Sequence, residues 1–298
     1  MKNLRQFILF CLENYNIGNI QEISEISSGY ANENYKLLTD EGVFLFRICK
    51  RQPLASMLFE MKLLDLLKKN NFKTAFVIKN KLNNHFLETT EGFVIVYQFI
   101  TGCTPLVNQF TASEIAAELA KLHSIPTTEL PHKQNFINIQ RAFSLIEQHK
   151  TSEFQYNDII SDYETKLKWL QPKLNQQLPK GAIHADIFPD NTIFVGNKLA
   201  AIIDFEEACI DSFLFDIAMT INGFCYTNNT LNYKLLSVFL KEYQNIRKLT
   251  HQESELLPIY INWASIGMVS WHLGELLKQR NEKQLERVKE LLARVVVN

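Results

Sequence analysis

A chain of 298 residues with 46% hydrophobic residues can bury a large core, which excludes a disordered protein and suits two modest domains or one two-lobed unit. Its 31 Lys and Arg balance 32 Asp and Glu to a net charge of −1 with no basic block, so neither nucleic acid nor an anionic membrane is an expected partner. The five cysteines are scattered, and no apolar run approaches the roughly 18 residues that cross a bilayer, so we expect a cytoplasmic protein with reduced thiols.

The amino-terminal third of the chain predicts a small antiparallel sheet with a helix packed on it. Apolar residues at 7–12 predict a helix that docks on the core rather than a targeting segment. Leu58, Met61 and Leu64 recur at helical spacing within residues 54–69, which predicts a second helix. The β-like runs are residues 43–49, 85–89 and 93–97. A turn at Glu91-Gly92 joins the last two of them.

Helical patterns dominate after residue 104. The capping-box sequence from Thr111 to Glu114 predicts that a helix begins there and ends before Pro126. Residues 136–178 are polar and mostly helical in pattern, and helical patterns return from Phe213 onward. Short β runs are predicted at residues 182–183, 192–195 and 200–203. Together the patterns predict an α+β fold with a small sheet lobe at residues 1–99, a connector near residues 98–104 and a larger helical lobe at residues 100–298.

The run from His184 to Asn191 and the later Asp204 contain the residue types that phosphoryl transfer requires. That reaction needs an oriented nucleophile and one or two Mg²⁺ ions held by oxygen ligands, because its transition state spreads charge over the phosphoryl oxygens. Asp186, Asn191 and Asp204 each lie at the end of a short β run. Their order predicts a base at Asp186 and metal ligands at Asn191 and Asp204.

These residues resemble the H-x-D-x-x-x-x-N and I-D-F motifs of the aminoglycoside phosphotransferase and choline kinase superfamily. The resemblance implies a bilobal protein-kinase-like fold that uses ATP and Mg²⁺ to phosphorylate a small alcohol. It also implies that Asp186 is the catalytic base, that Asn191 and Asp204 bind the metal, and that His184 is a structural residue that steadies the loop.

The whole chain further resembles the homoserine kinase branch of this superfamily, which implies that the alcohol is L-homoserine, on the pathway to threonine. We expect a monomer or a homodimer. Choline, sugar or aminoglycoside kinases of the same fold are alternatives, and a nucleotide-binding pseudokinase is a further one. The resemblance rests on five stretches, which are residues 28–35, 184–191, 203–209, 216–225 and 243–250. The most discriminating part is Asn222 to Cys225, at the end of the fourth stretch.

The expected ATP-binding residues come from the amino-terminal lobe and the connector. A glycine-poor loop between two β-like runs can cover phosphates with backbone N–H groups, although a plain hairpin turn has a similar sequence. Arg47 occupies the strand position where the superfamily has lysine, and Glu60 is its candidate partner, a solvated helix glutamate being the alternative. The complete set of expected ATP-binding residues is Ser28, Gly29, Asn32, Arg47, Glu60, Gln98 and Ile100.

An amino-acid acceptor requires an acidic or amide group for its ammonium and a cation for its carboxylate. Glu206, Glu207 and Asn222 are the candidates for the ammonium, and Arg141 or Arg247 for the carboxylate. Packing or surface roles are the alternative for each of these residues. An aromatic cage would instead favour choline, and its candidates are Tyr260, Trp263 and Trp271.

Overall fold

A five-stranded antiparallel sheet with a helix against each face forms the amino-terminal lobe. The computed structural model describes residues 2–26, 32–149, 156–174, 177–278, 281–295 and 297. The elements of this lobe are α1 (Lys2–Leu12), β1 (Ile20–Ile26), β2 (Asn32–Thr39), β3 (Val43–Cys49), α2 (Leu54–Lys69), β4 (Leu87–Thr89) and β5 (Gly92–Gln98). The strands lie in the order β1-β2-β3-β5-β4. The predicted sheet and the predicted helix at residues 54–69 are thereby confirmed.

Strand β3 reads as a nearly continuous apolar run because both faces of the sheet are covered. Phe46 and Ile48 pack in a small core beneath α1, together with Ile8. Cys49 points to the opposite face and packs against α2 in the main core. Alternate side chains of a strand point to opposite faces, so Arg47 shares this second face.

The turn between β4 and β5 lies one residue earlier than the sequence predicted. It contains Thr90 and Glu91, whereas Gly92 is already the first residue of β5. Gly92 has φ 122°, and a Cβ atom there would lie 2.3 Å from the carbonyl oxygen of Cys49. The glycine is therefore required by close strand packing rather than by the turn.

Helices make up most of the carboxy-terminal lobe, as predicted. Two short hairpins and one further strand pair accompany them. In the described residues the elements are α3 (Gln109–Leu122), α4 (Ile139–His149), α5 (Asn157–Leu174), β6 (Lys180–Ile183), β7 (Thr192–Val195), β8 (Lys198–Ile202), β9 (Cys209–Ser212), α6 (Phe213–Phe224), β10 (Tyr226–Thr227), β11 (Thr230–Leu231), α7 (Tyr233–Ile246), α8 (His251–Lys278) and α9 (Glu282–Ala293).

Helix α3 begins before the capping box that the sequence predicted. Its N-cap is Asn108, whose side chain accepts hydrogen bonds from the N–H groups of Phe110 and Thr111. Thr111 occupies the third helical position, and its hydroxyl accepts a hydrogen bond from the N–H group of Asn108. Asparagine is as good an N-cap as threonine, so the reciprocal pair is real but shifted by three residues.

The main hydrophobic core continues from α2 through the helices of the carboxy-terminal lobe. It contains Leu63 of α2, Leu119 of α3, Ile217 of α6 and Val269 of α8, each fully buried. This burial fixes the position of α6, which lies behind the loop that follows β6. Among the helices of the described residues, none is both long and apolar enough to span a bilayer.

Two backbone bridges hold the β7–β8 hairpin, one to the amino-terminal lobe and one to the connector. Thr74 pairs with Ile202 at the end of β8, and Cys103 in the connector pairs with Phe194 of β7. The close approach at the second bridge requires glycine, because a Cβ atom on Gly102 would lie 2.5 Å from the Phe194 carbonyl oxygen. The β7–β8 hairpin, which separates Asn191 from Asp204, is therefore held directly against the connector.

Candidate active site

The loop after β6 is held from behind by one buried carboxylate. Asp216 of α6 accepts hydrogen bonds from the N–H groups of His184 and Ala185, both at 2.8 Å. These two bonds hold Ala185 at φ 69°, a left-handed conformation that costs a residue with a Cβ atom about 1 kcal/mol or more. The loop conformation that presents Asp186 is therefore imposed by α6 rather than chosen by the loop itself.

His184 is buried and steadies the loop from the side. Its Nε2 lies 3.0 Å from the carbonyl oxygen of Ile203, and its Nδ1 accepts a hydrogen bond from the N–H group of Asp186 at 3.3 Å. Burial lowers the pKa of His184, so the ring is neutral, with Nε2 as the donor. The ring thus ties the Asp186 loop to the segment that leads into Asp204.

Asp186 and Asn191 contact each other directly. The Asn191 side-chain amide donates to the Asp186 carboxylate at 2.8 Å and to the Asp186 carbonyl oxygen at 2.9 Å. The Ile203 N–H group donates to the Asn191 carbonyl oxygen at 3.0 Å, which brings Asp204 to the same place. The three residues predicted from spacing therefore converge.

Asp204 adopts a left-handed conformation with φ 68°. Its carboxylate accepts from Arg47 at 3.1 Å, and Arg47 Nε donates to the Asn34 side chain at 2.9 Å. No direct salt bridge joins Arg47 to Glu60 among the described residues, although the charge of Arg47 acts on the pKa of Glu60. Glu60 instead accepts hydrogen bonds from Gln52 at 2.7 Å and from Tyr97 at 3.4 Å. The buried arginine thus joins the sheet to Asp204, and the helix glutamate has neutral partners.

Burial raises the pKa of Glu60 to about 7, with nearby Asp204 and Glu206 adding to the rise and Gln52 and Arg47 opposing it. Burial also raises the pKa of Asp186 well above its ordinary range. The charges of Asp204, Asp190 and Glu207 add to this rise, and the hydrogen bond from Asn191 opposes it. A raised pKa suits a carboxylate that accepts a proton during a reaction.

These residues line one cleft of about 780 Å³ between the lobes. Of the expected ATP-binding residues, Asn32, Arg47, Glu60, Gln98 and Ile100 line it. Ser28 and Gly29 lie outside the described residues. The five described residues of this set therefore share one cleft, and their role in binding nucleotide stays a prediction.

The residues that the sequence predicted to bind the acceptor lie only in part at the cleft. Glu206 and Glu207 line the cleft, and the Asn32 amide donates to Glu206 at 2.9 Å. Asn222 is 3% exposed and lies behind the cleft wall, so its predicted substrate role is wrong. Its amide donates to the carbonyl oxygens of Ala218 and Ile261, and its oxygen accepts from Ser265 at 2.7 Å and Arg294 at 2.8 Å. These contacts satisfy the side chain within the protein.

Two further acceptor-side expectations are corrected. Arg247 pairs with the buried Glu253 at 2.8 Å and is not part of the cleft wall, so it does not serve as the carboxylate-binding cation. Tyr260 and Trp263 are buried in the core, and of the three aromatic residues only Trp271 lines the cleft. Arg141 lies outside the lining but stacks 3.8 Å from the ring of Phe136, which belongs to it.

Several residues of the site gave no clear signal in the sequence. Asn34 orients Arg47, and Lys133 donates to the Glu206 carbonyl oxygen at 2.5 Å. Arg287 lines the far end of the cleft beside His272, although α9 follows Asp204 by almost eighty residues. Only long-range packing identifies such residues, because each one is an ordinary surface type on its own element.

The donor set suits a hard divalent cation. No group of three His, Cys, Asp or Glu side chains in the described ranges is placed to hold a metal. Asp204 and Asn191 offer one carboxylate and one amide oxygen at the cleft, with Asp186, Glu206 and Glu207 adding negative charge nearby. Mg²⁺ binds in this way, through one or two protein oxygens together with substrate phosphates.

Comparison with known proteins gives a consistent result. A model of the phosphotransferase enzyme family matches residues 22–244. The chain is 26% identical over 261 residues to a homoserine kinase of Methylocella silvestris, covering 86% of this chain and 81% of that protein. It is 28% identical over 271 residues to a homoserine kinase of Nitrobacter winogradskyi, covering 89% and 83%. Among solved structures, an amicoumacin kinase in complex with AMP-PNP, Ca²⁺ and Ami superposes with a TM-score of 0.78 at 14% identity, over 99% of this chain and 96% of that one. The predicted protein-kinase-like fold is thereby confirmed.

Proposed function

The chain belongs to the phosphotransferase enzyme family, and on that premise we propose that it is an ATP- and Mg²⁺-dependent kinase that phosphorylates the hydroxyl of L-homoserine. The observation that carries the reaction type is the convergence of Asp186, Asn191 and Asp204 on one cleft between the lobes. Support for the acceptor comes from the homoserine kinases that are 26% and 28% identical over most of both chains. We also propose a lobe boundary at residues 99 and 100. A cytoplasmic location and a monomeric or homodimeric state stay predictions.

Each residue of the convergent set has a role that follows from its contacts. Asp186 orients the acceptor hydroxyl and accepts its proton on a carboxylate oxygen, and the Asn191 amide holds that carboxylate in place at 2.8 Å. Asp204 and the oxygen of Asn191 would hold Mg²⁺, which neutralises charge on the nucleotide phosphates when bound. Arg47 is placed to contact phosphate oxygens, since its planar fork already spans Asn34 and Asp204.

The nucleotide would occupy the side of the cleft that the sheet and the connector form. Gln98 ends β5 and Ile100 lies just beyond it. Both line this side, where backbone groups of an extended segment can pair with adenine. Leu45 and Ile26 add apolar walls. Asn32 lies between this side and Glu206, to which its amide donates.

The acceptor would occupy the opposite side of the cleft. Glu207 lies near Asp186, and its exposed carboxylate is the candidate for the homoserine ammonium. Arg287 replaces Arg247 as the candidate for the homoserine carboxylate. Its side chain is 30% exposed at the cleft and pairs at 3.1 Å with Glu290, which is 53% exposed and a weak competitor in water.

The test is a coupled assay of ADP release with Mg²⁺ and a panel of alcohols: L-homoserine, 3-aminopropan-1-ol, choline and an aminoglycoside. We expect homoserine to give the highest kcat/KM. A preference for choline or the aminoglycoside would show that the acceptor is wrong while the reaction stands. Silence with every alcohol would favour the pseudokinase alternative.

Homoserine and 3-aminopropan-1-ol differ only by the carboxylate, which isolates the role of Arg287. Arg287→Gln should lower kcat/KM for homoserine by about tenfold to a hundredfold, the usual contribution of a charge-assisted hydrogen bond, and leave 3-aminopropan-1-ol unchanged. Arg5→Gln, which removes an exposed arginine of α1 that is not part of the cleft lining, is the control. Equal losses with both alcohols would exclude Arg287 as the carboxylate ligand.

A further inference from the structure

A chain of buried hydrogen bonds continues from Asp216 away from the cleft and ends at α8. Asp216 accepts from His123 Nε2 at 3.1 Å, and His123 Nδ1 lies 2.8 Å from the Tyr243 hydroxyl. Arg247 donates to the same hydroxyl oxygen at 3.1 Å and to Glu253 at 2.8 Å. His123, Asp216, Tyr243 and Glu253 are each at most 4% exposed.

The direction of every bond in this chain is determined by its two charged ends. Burial raises the pKa of Asp216, but the hydrogen bonds it accepts from His123 and from the His184 N–H group bring that pKa below its ordinary value, so Asp216 is ionised. A carboxylate only accepts hydrogen bonds. His123 must therefore donate from Nε2. Burial lowers the pKa of His123, so its ring is neutral and Nδ1 must accept.

Tyr243 supplies the proton for that acceptor. Arg247 already donates to the Tyr243 oxygen, so the tyrosine hydroxyl hydrogen is left to point at His123 Nδ1. All donors thus run from Arg247 through Tyr243 and His123 to Asp216. The arrangement allows only one tautomer of His123, because the other would place a lone pair against the Asp216 carboxylate.

We propose that Tyr243 and Arg247 are positioning residues for the catalytic loop. By selecting the Nε2–H tautomer of His123, Tyr243 and Arg247 keep Asp216 oriented toward the N–H groups of His184 and Ala185. The two hydrogen bonds to Asp216 in turn hold Ala185 at φ 69°. The pair thereby sets the position of Asp186 without contacting the cleft. This role also accounts for the stretch of residues 243–250, to which the proposed function assigns no task. The inference rests on the proposed function in that Asp186 must be the base.

The test compares two variants that each remove one buried hydroxyl. Tyr243→Phe breaks the chain. Tyr163→Phe is the matched control, because Tyr163 is also fully buried and its hydroxyl bonds to Ser270 at 2.6 Å, away from the loop. We expect Tyr243→Phe to lower kcat by about tenfold to a hundredfold, as a small displacement of a reacting group does, with KM for ATP unchanged. Tyr163→Phe should keep kcat within about twofold.

A second readout follows the tautomer itself. In ¹⁵N-histidine-labelled protein, with His123 identified by its loss in His123→Gln, the wild type should show a protonated Nε2 and a bare Nδ1, and Tyr243→Phe a mixture. Wild-type kcat in Tyr243→Phe, or a tautomer that does not change, would overturn the proposal. Should that variant not fold, Arg247→Lys takes its place, and an unchanged kcat there is equally decisive.

The failure of this inference and that of the proposed function are distinguishable. If Asp186→Asn is inactive and Tyr243→Phe behaves like Tyr163→Phe, only the positioning role is wrong. If Asp186→Asn keeps wild-type turnover, the base assignment is wrong, and Tyr243 and Arg247 have no catalytic base to position.

Discussion

Arg47 serves two partners with one side chain, one in β2 and one across the cleft. Its Nε donates to Asn34 while Nη1 pairs with Asp204, and the guanidinium is buried. A lysine ammonium has a single nitrogen and lacks this fork. Arg47 therefore joins β2 to Asp204, whereas the sequence led us to expect that its partner is Glu60.

We predict that Arg47→Lys raises KM for ATP by about tenfold or more, the cost of one charge-assisted hydrogen bond, and lowers the melting temperature. Steady-state kinetics and thermal melting check both effects. Arg51→Lys, at an exposed position just before α2, is the control and should change neither. Higher activity in Arg47→Lys would mean that the arginine is a handicap in this protein.

Glu60 gives the folded protein a specific dependence on pH. Its pKa is about 7 in the folded state against an ordinary 4.5, so the folded protein binds more protons between these values. Its contribution to stability is fully present below pH 4.5 and is lost as the pH rises through about 7. Glu60→Gln keeps a hydrogen-bonding group beside Gln52 and removes the titration.

The melting temperature of Glu60→Gln relative to wild type should therefore rise from pH 5 to pH 8. Paired melts at the two values check it. A difference that stays constant, or falls with pH, would mean that Glu60 is charged throughout this range.

Asp186→Asn should lower kcat by about a hundredfold to ten-thousandfold, because the amide cannot accept the proton of the alcohol. Its affinity for MgATP, measured by calorimetry, should stay close to that of wild type. Asp158→Asn removes an exposed carboxylate in the first turn of α5, outside the cleft lining, and is the control, with little loss expected. Similar rates in the two variants would contradict the assignment of the base.

At the scale of the element, α6 supports the catalytic loop with two different devices. Asp216 provides hydrogen bonds, and Gly223 provides space, since a Cβ atom there would lie 3.0 Å from the Ile187 carbonyl oxygen and 3.0 Å from the Phe188 ring. The stretch of residues 222–225, singled out in the sequence as the most discriminating, is therefore a packing surface. Its asparagine bonds to α8 and Arg294 rather than to a substrate.

Gly223→Ala should displace the catalytic loop and lower kcat by about tenfold or more, as misplacement of a base does. Gly274→Ala is the control, because a Cβ atom in that helix meets nothing within 4 Å. The control should raise stability by about 0.5 to 1 kcal/mol, the difference between glycine and alanine in a helix, at unchanged kcat. Kinetics and thermal melting of the two variants separate the effects.

Periodicity and spacing were sufficient for elements whose signal is local. Helix α2 has the predicted bounds, and Asp186, Asn191 and Asp204 meet because β6 and β8 end, and β7 begins, close together. Local signals did not reveal which buried polar residues satisfy one another. Asn222 and Arg247 have the chemistry of substrate ligands, but they bond to Ile261 and Glu253 of α8, and no pattern in the sequence around them identifies such contacts.

At the scale of the whole molecule, an ion pair, a side-chain hydrogen bond and a backbone bridge cross between the lobes at the cleft. Arg47 reaches Asp204, Asn32 reaches Glu206, and Thr74 pairs with Ile202. A ligand that contacts both lobes will therefore stabilise both of them against unfolding. Binding to the folded state alone contributes about 2.7 kcal/mol at a concentration one hundred times Kd.

MgATP should accordingly raise the melting temperature of the wild type by several degrees. Asp204→Ala should lose most of this shift, because the variant retains the cleft but not the carboxylate that is proposed to hold the metal. ATP with excess EDTA is the control and should reproduce the loss in the wild type. A full shift in Asp204→Ala would remove that residue from the metal site.

Ala185 and Asp204 lie on the two sides of the reaction centre. Both adopt a left-handed backbone conformation, which residues with a Cβ atom usually avoid. In a library of all substitutions selected for folded protein, position 185 should accept glycine and asparagine and reject valine, isoleucine and threonine, whose branched side chains tolerate positive φ least. Position 204 should accept glycine for folding and nothing but aspartate once turnover is selected. The residues that each selection retains would then separate two requirements at these positions. Selection for folding reports what the backbone conformation permits, and selection for turnover reports the smaller set that the chemistry permits.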